Sequence, residues 1–139
     1  MAAIPRWPLR AAASRDLAPS AHWPEPHLDV VPGADDGPVL VEVEYRIDPL
    51  QAEAFVRAIH DVEPIRLRDG AVHWAIYHDL SRPGRYVETF VVDSWLEHLR
   101  QHDRVTVADR AVEERVRRFH VGQGPPIVSH MIAANPRRP

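Results

Sequence analysis

The 139-residue sequence predicts a single α+β domain built as β-α-β-β-α-β, and three observations carry that expectation. Val39, Val41, Val43, Tyr45 and Ile47 alternate with Leu40, Glu42, Glu44 and Arg46, the period of a strand with one buried face. Two further strand-like runs, 72–79 and 86–92, flank a Ser81-Arg-Pro-Gly-Arg85 hairpin loop. Each outer strand run is joined to this pair through a stretch of helical periodicity, the split βαβ order of a ferredoxin-like sheet with helices on one face.

The elements follow in order. Asp48-Pro49, with Gln51 three residues after the aspartate, reads as an N-cap, a proline in the first turn and a capping-box partner. Phe55, Ile59 and Val62 then make the apolar stripe of a helix that Pro64 disturbs near its end. Asp69-Gly70 turns the chain into the second strand. Ser94 and Glu97 predict a second capped helix carrying Trp95, Leu96 and Leu99. Its stripe continues through Val105, Ala108, Val112, Val116 and Phe119. Arg110/Glu114, Glu113/Arg117 and Glu114/Arg118 are expected on the solvent side. Gly122 to Pro126 ends that helix, and 127–133 is the last strand. Seven of the 14 prolines fall within the first 38 residues, so residues 1–37 read as a Pro-rich arm or linker, with Trp7 or Trp23 as docking groups. The domain proper is expected over residues 38–134, with 135–139 as a tail.

Composition excludes several chemistries. Hydrophobic residues are 45 % and charged residues 27 %, with a net charge of −3, so there is no basic surplus for nucleic acid. The absence of cysteine removes thiol nucleophiles and thiolate metal sites. All 17 basic residues are arginine, which removes Schiff-base lysines and the P-loop lysine. No apolar run approaches the roughly 18–20 residues of a membrane span, and Pro5, Arg6, Pro8 and Arg10 interrupt any signal-peptide core. A cytoplasmic location is expected.

The stretch Val87-Glu-Thr-Phe-Val-Val-Asp-Ser-Trp-Leu-Glu-His-Leu-Arg-Gln-His102 carries a family resemblance. So do Arg104–Arg110, Arg66–Ala71 and His22-Trp-Pro-Glu-Pro26. Together they resemble the soluble C-terminal domain that follows the last membrane helix in enterobactin-exporter-like proteins of the major facilitator superfamily, the transmembrane secretion effectors. The resemblance runs from about His22 to Ala134. It implies a cytoplasmic accessory or small-molecule-sensing domain, not itself a transporter, that meets a membrane only through a fused transporter. More distantly the chain is similar to the antibiotic-biosynthesis monooxygenases, whose ferredoxin-like subunits pair as a dimeric α/β barrel. That likeness implies a homodimer without a cofactor. It also implies an alternative function, a free-standing cofactor-independent monooxygenase or cyclase acting on a small aromatic secondary metabolite. Such enzymes often hold substrate with an asparagine, yet the sole asparagine here is Asn135 in the tail.

Six residues are candidates for binding a small molecule: Arg46, His73, Trp74, Tyr77, Glu88 and Trp95. Arg46, with Glu42 and Glu44, sits on the polar parity of the first strand, and His73 and Tyr77 share a face of the second. With Glu88 on the third strand these would line one polar surface if the faces coincide, with His73 or Glu88 as base. The competing reading is structural, with Arg46 paired to Glu44 or Glu88. Trp74 and Trp95 are either pocket walls or core packing. His98 and His102 are spaced i, i+4, as two ligands of one metal would be, but without a third ligand no metal site is expected.

Overall fold

A computed structural model describes residues 27–136, so the expectations for Trp7, Trp23 and the rest of 1–26 lie outside the described residues, as do 137–139. Four strands, β1 (Val39–Arg46), β2 (His73–His78), β3 (Arg85–Val92) and β4 (Ile127–Ile132), form one antiparallel sheet in the order β2-β3-β1-β4. Four helices, α1 (Ala52–Ile59), α2 (Glu63–Arg68), α3 (Trp95–Arg104) and α4 (Val107–Arg117), complete the ferredoxin-like α+β fold.

Alternation along β1 works as expected. Val39, Val41, Val43 and Tyr45 are buried, while Leu40, Glu42 and Glu44 are half-exposed. Tyr86, Phe90 and Val92 of β3 share the covered side, where Phe55 and Ile59 of α1, Val62, and Val116 of α4 pack on them. Phe55 sits at the centre, its ring 5.3 Å from Tyr45, 5.4 Å from Tyr86 and 6.0 Å from Phe119.

Both helical stretches are broken where the sequence suggested continuity or mild disturbance. After Asp48 the chain makes a 3-10 turn, Pro49–Gln51, with the Leu50 amide donating to the Asp48 carboxylate at 3.0 Å; Gln51 makes no capping bond back. α1 then stops at Ile59 and the helix restarts as α2, with Pro64 in its first turn, where its missing N–H costs nothing. The second expected helix breaks at Val105, which is extended and buried. Thr106 re-caps it with a full capping box: the Asp109 amide donates to Thr106 Oγ1 at 3.1 Å, and the Thr106 amide donates to Asp109 Oδ2 at 3.0 Å. At the start of α3, Ser94 accepts from the Glu97 amide, but the Glu97 carboxylate pairs with Arg104 instead of returning to the cap.

The segment before β1 is docked. The amides of Trp95 and Leu96 donate to the carbonyls of Asp36 (2.8 Å) and Ala34 (3.0 Å), and Leu28 packs against the core. Gly37 lies so close to the β3–α3 junction that a Cβ there would fall 2.3 Å from the Asp93 carbonyl oxygen, which excludes any side chain.

Thr106→Ala removes the side-chain half of a capping box and is expected to cost about 1 kcal/mol of stability. Urea denaturation measures it, and an unchanged midpoint would mean that the break between α3 and α4 is held by packing alone.

Candidate functional site

The fold separates the six candidate residues into three places. Arg46, His73 and Tyr77 lie on the open face of the sheet, where Arg46 closes β1 and pairs with Glu44 at 3.4 Å. Glu44 in turn accepts from Arg85 at 2.7 Å, and Arg85 reaches Asp79 at 3.1 Å. Hydrogen bonding to Arg85 holds the Glu44 carboxyl below its usual range. Of the two structural partners weighed for Arg46, the structure supplies Glu44.

Glu88 is on the other face, so the single polar surface expected from parity does not form. It shares register with Val43 and Ile76 and parity with Tyr86 and Phe90, which turns it into the core. There it is fully buried and accepts three hydrogen bonds: from Arg66 Nε at 2.9 Å, from Arg66 Nη2 at 3.4 Å and from Trp74 Nε1 at 2.9 Å. Arg66, on α2, also donates to Glu113 of α4 at 3.3 Å and lies 4.8 Å over the Phe90 ring. Glu113, expected on the solvent side beside Arg117, is therefore a buried partner of Arg66. Burial pushes its carboxyl pKa up against the pull of Arg66. Burial raises the Tyr45 phenol as well, reinforced by the charge on Glu88, so Tyr45 stays protonated. Trp74 is thus a core residue with its one donor committed.

Trp95 occupies the third place, at the edge of the sheet where α3 meets β4. Its ring is 5.2 Å from His98 and 6.2 Å from His130; His98 is 4.7 Å from His102 and 4.9 Å from His130. The sequence offered His98 and His102 as an i, i+4 pair. β4 adds His130, which shares register with buried Val41 and therefore faces α3. Among the described residues no group of three or more His, Asp or Glu is arranged to hold a metal ion. His98 is almost wholly buried, and neither ring nitrogen meets a hydrogen-bond acceptor or donor at bonding geometry. Its pKa falls to about 4, first through burial and then through His102 and His130, with a smaller opposing effect of Gln101. Burial, then His102, lowers His130 too.

Beside this cluster is a cavity of about 240 Å³. Val39, Trp95, His130 and Ile132 form one side, and residues 27–32, with Leu28 innermost, the other. The signal for this site was parity: His130 shares a face with Val128 and Ile132 on β4, and only pairing β4 to β1 shows which face that is.

The matching family model is that of the transmembrane secretion effectors, and it spans residues 1–138. The chain belongs to this family. No curated protein matches it. Among solved structures, an antibiotic biosynthesis monooxygenase-like protein of Caulobacter crescentus superposes with a TM-score of 0.60 at 14 % identity, covering 73 % of this chain and 94 % of its own. A similar protein of Nitrosomonas europaea gives 0.59 at 14 % identity over 77 % and 98 %. A conserved protein of Methanosarcina mazei gives 0.59 at 12 % over 72 % and 96 %. At these identities the likeness establishes the fold. No helix among the described residues is long and apolar enough to cross a membrane.

Two outcomes follow from this chemistry. Arg66→Met strands two buried carboxylates and is expected to cost about 3–5 kcal/mol, read as a lowered denaturant midpoint; near-wild-type stability would show that water reaches Glu88. His98 binds its proton more weakly folded than unfolded, so its contribution is complete above about pH 6.5 and is lost as the pH falls from there through about 4. His98→Leu should flatten that limb of the stability–pH curve, and an unchanged slope would remove His98 as its source.

Proposed function

We propose that this chain is a non-catalytic accessory domain of a secretion system, which binds a small molecule in the Trp95–His130 cavity and pairs with a second copy through its open sheet face. The observation that carries the reading is the division of the chemistry-bearing side chains. At the centre of the sheet–helix layer they are paired with one another: Trp74 and Arg66 with Glu88, and Glu113 with Arg66 through one of its two oxygens. His130, by contrast, lines a cavity and neither of its nitrogens is engaged by a described residue. Membership of the secretion-effector family supports an accessory role, on the cytoplasmic side, beside a transporter.

Pairing is supported by the open face itself. Leu40, Val87 and Val91 run across its middle with Tyr77 and Met131, and Tyr77 remains 55 % exposed. Two such faces stacked about 10 Å apart would bury that stripe. Arg46, His73 and Tyr77 would then be interface residues, with the Arg46–Glu44–Arg85–Asp79 ion pairs at one end.

A second reading, a cofactor-independent monooxygenase or cyclase, is favoured by the likeness to monooxygenase-like structures. Among the described residues, His130 is the one imidazole that both lines a cavity and has its pKa lowered, which favours the neutral form a base requires.

The readings part in one set of measurements. A panel of small metabolites is expected to raise the melting temperature without oxygen uptake. Oxygen uptake abolished by His130→Ala would establish the enzyme instead, and a panel without any shift would remove ligand binding. Light scattering should give the mass of two 15.8 kDa chains, and Val91→Glu should give one. A wild-type monomer at micromolar concentration would remove the sheet-to-sheet pair.

A further inference from the structure

We infer that the Trp95–His130 cavity takes an uncharged, flat, mainly apolar molecule bearing a single N–H or O–H group, whose hydrogen bond the His130 ring accepts. This deepens the ligand-binding reading above and rests on it.

Size and lining set the apolar body. About 240 Å³ has room for a fused bicycle, and Leu28, Val39, Ile132 and the Trp95 ring present carbon to it. The single polar group follows from His130. Its ring is fixed between Trp95 and His98, and neither of its nitrogens is engaged by a described residue. A neutral imidazole always offers one lone pair, and with both nitrogens uncommitted the tautomer can follow the ligand.

Absence of charge follows from what surrounds that ring. α3 brings His98 and His102, also imidazoles, and β1 brings Val39 and Val41. The 27–32 segment brings His27 and Asp29, which are highly exposed and pair with each other at 3.5 Å at the rim. Among the described residues no arginine lines the cavity, in a chain whose permanent side-chain cations are all arginine, so a carboxylate or phosphate would meet no counter-charge from them. Among the described lining residues the sole carboxylate is Asp29 at the mouth, so an ammonium group inside would exchange its full hydration for the single lone pair of His130, without a counter-charge. Protonation of His130 removes the lone pair, and with it the means of telling a donor from a hydrocarbon.

The test is an NMR titration of the full chain, following histidine ring and methyl resonances, with four probes of one shape. Indole is neutral with one N–H, indene lacks it, indole-3-acetate adds a negative charge and tryptamine a positive one. Indole is expected to bind about five- to tenfold more tightly than indene, as one net hydrogen bond allows, and both more tightly than the charged pair. His130→Phe should abolish the indole advantage, so that indole and indene bind alike, and the dispersion of the methyl resonances reports that the variant is folded. In the unaltered protein the same advantage should shrink as acid protonates His130, at a pH below the usual imidazole range because burial lowers its pKa. Equal binding of indole and indene, or tighter binding of a charged probe at these resonances, would overturn the ligand class and leave the ligand-binding reading standing. Failure of all four to move them would overturn both.

Discussion

The buried contact between Arg66 and Glu88 is the constraint around which the domain is arranged. A guanidinium and a carboxylate removed from water each lose several kcal/mol of hydration, and only close, multiply bonded geometry offsets it. Here the geometry is drawn from four elements: α2 supplies the guanidinium, β3 the carboxylate, β2 the Trp74 donor and α4 the second carboxylate, Glu113. The two helix breaks serve this arrangement. Interrupting the helix after Ile59 lets α2 take the direction that carries Arg66 inward, while Arg68 stays half-exposed and pairs with Asp69 and Asp109. Restarting at Thr106 sets the phase of α4 so that Glu113 faces the sheet. Replacing such a network by well-packed apolar side chains of equal volume is often neutral or stabilising. What it enforces is a single relative placement of helices and sheet.

That enforcement decides where a ligand has room. With the centre of the sheet–helix layer filled by Phe55 and by the ion network, space remains at the β4 edge, where α3 carries Trp95 and the imidazoles. His98 and His130 tolerate one another because burial favours their neutral forms, and their edge-to-face contact suits uncharged rings. The same packing that makes His98 a liability in acid also places the His130 ring at the cavity wall.

Much of the architecture was legible in the sequence because it rests on local rules. Alternation in β1, the Asp48-Pro49 start, the Ser94 cap and the Arg82–Gly84 hairpin each need only a few consecutive residues. The site was less legible because it rests on pairing. Glu88 sits in the apolar phase of its own strand, between Tyr86 and Phe90, and charge alone made it look like a surface residue. Glu113 fits an i, i+4 pair with Arg117 equally well on paper, and only the inward aim of Arg66 decides between them. Thr106 and Asp109 form a recognisable S/T-x-x-acid pattern, but an apolar stripe running through Val105 masked the break. His130 becomes part of the cluster only once β4 is placed beside β1.

The anchoring of residues 34–36 has a mechanical side. Two backbone hydrogen bonds tie this segment to the first turn of α3, and Gly37 presses against the Asp93 carbonyl with no side chain between them. Residues 27–32, just upstream on the same strand of chain, form one wall of the cavity while Trp95, in that same first turn, forms the other. The two walls of the cavity are therefore joined to each other through main-chain hydrogen bonds at the start of α3, independently of any side chain.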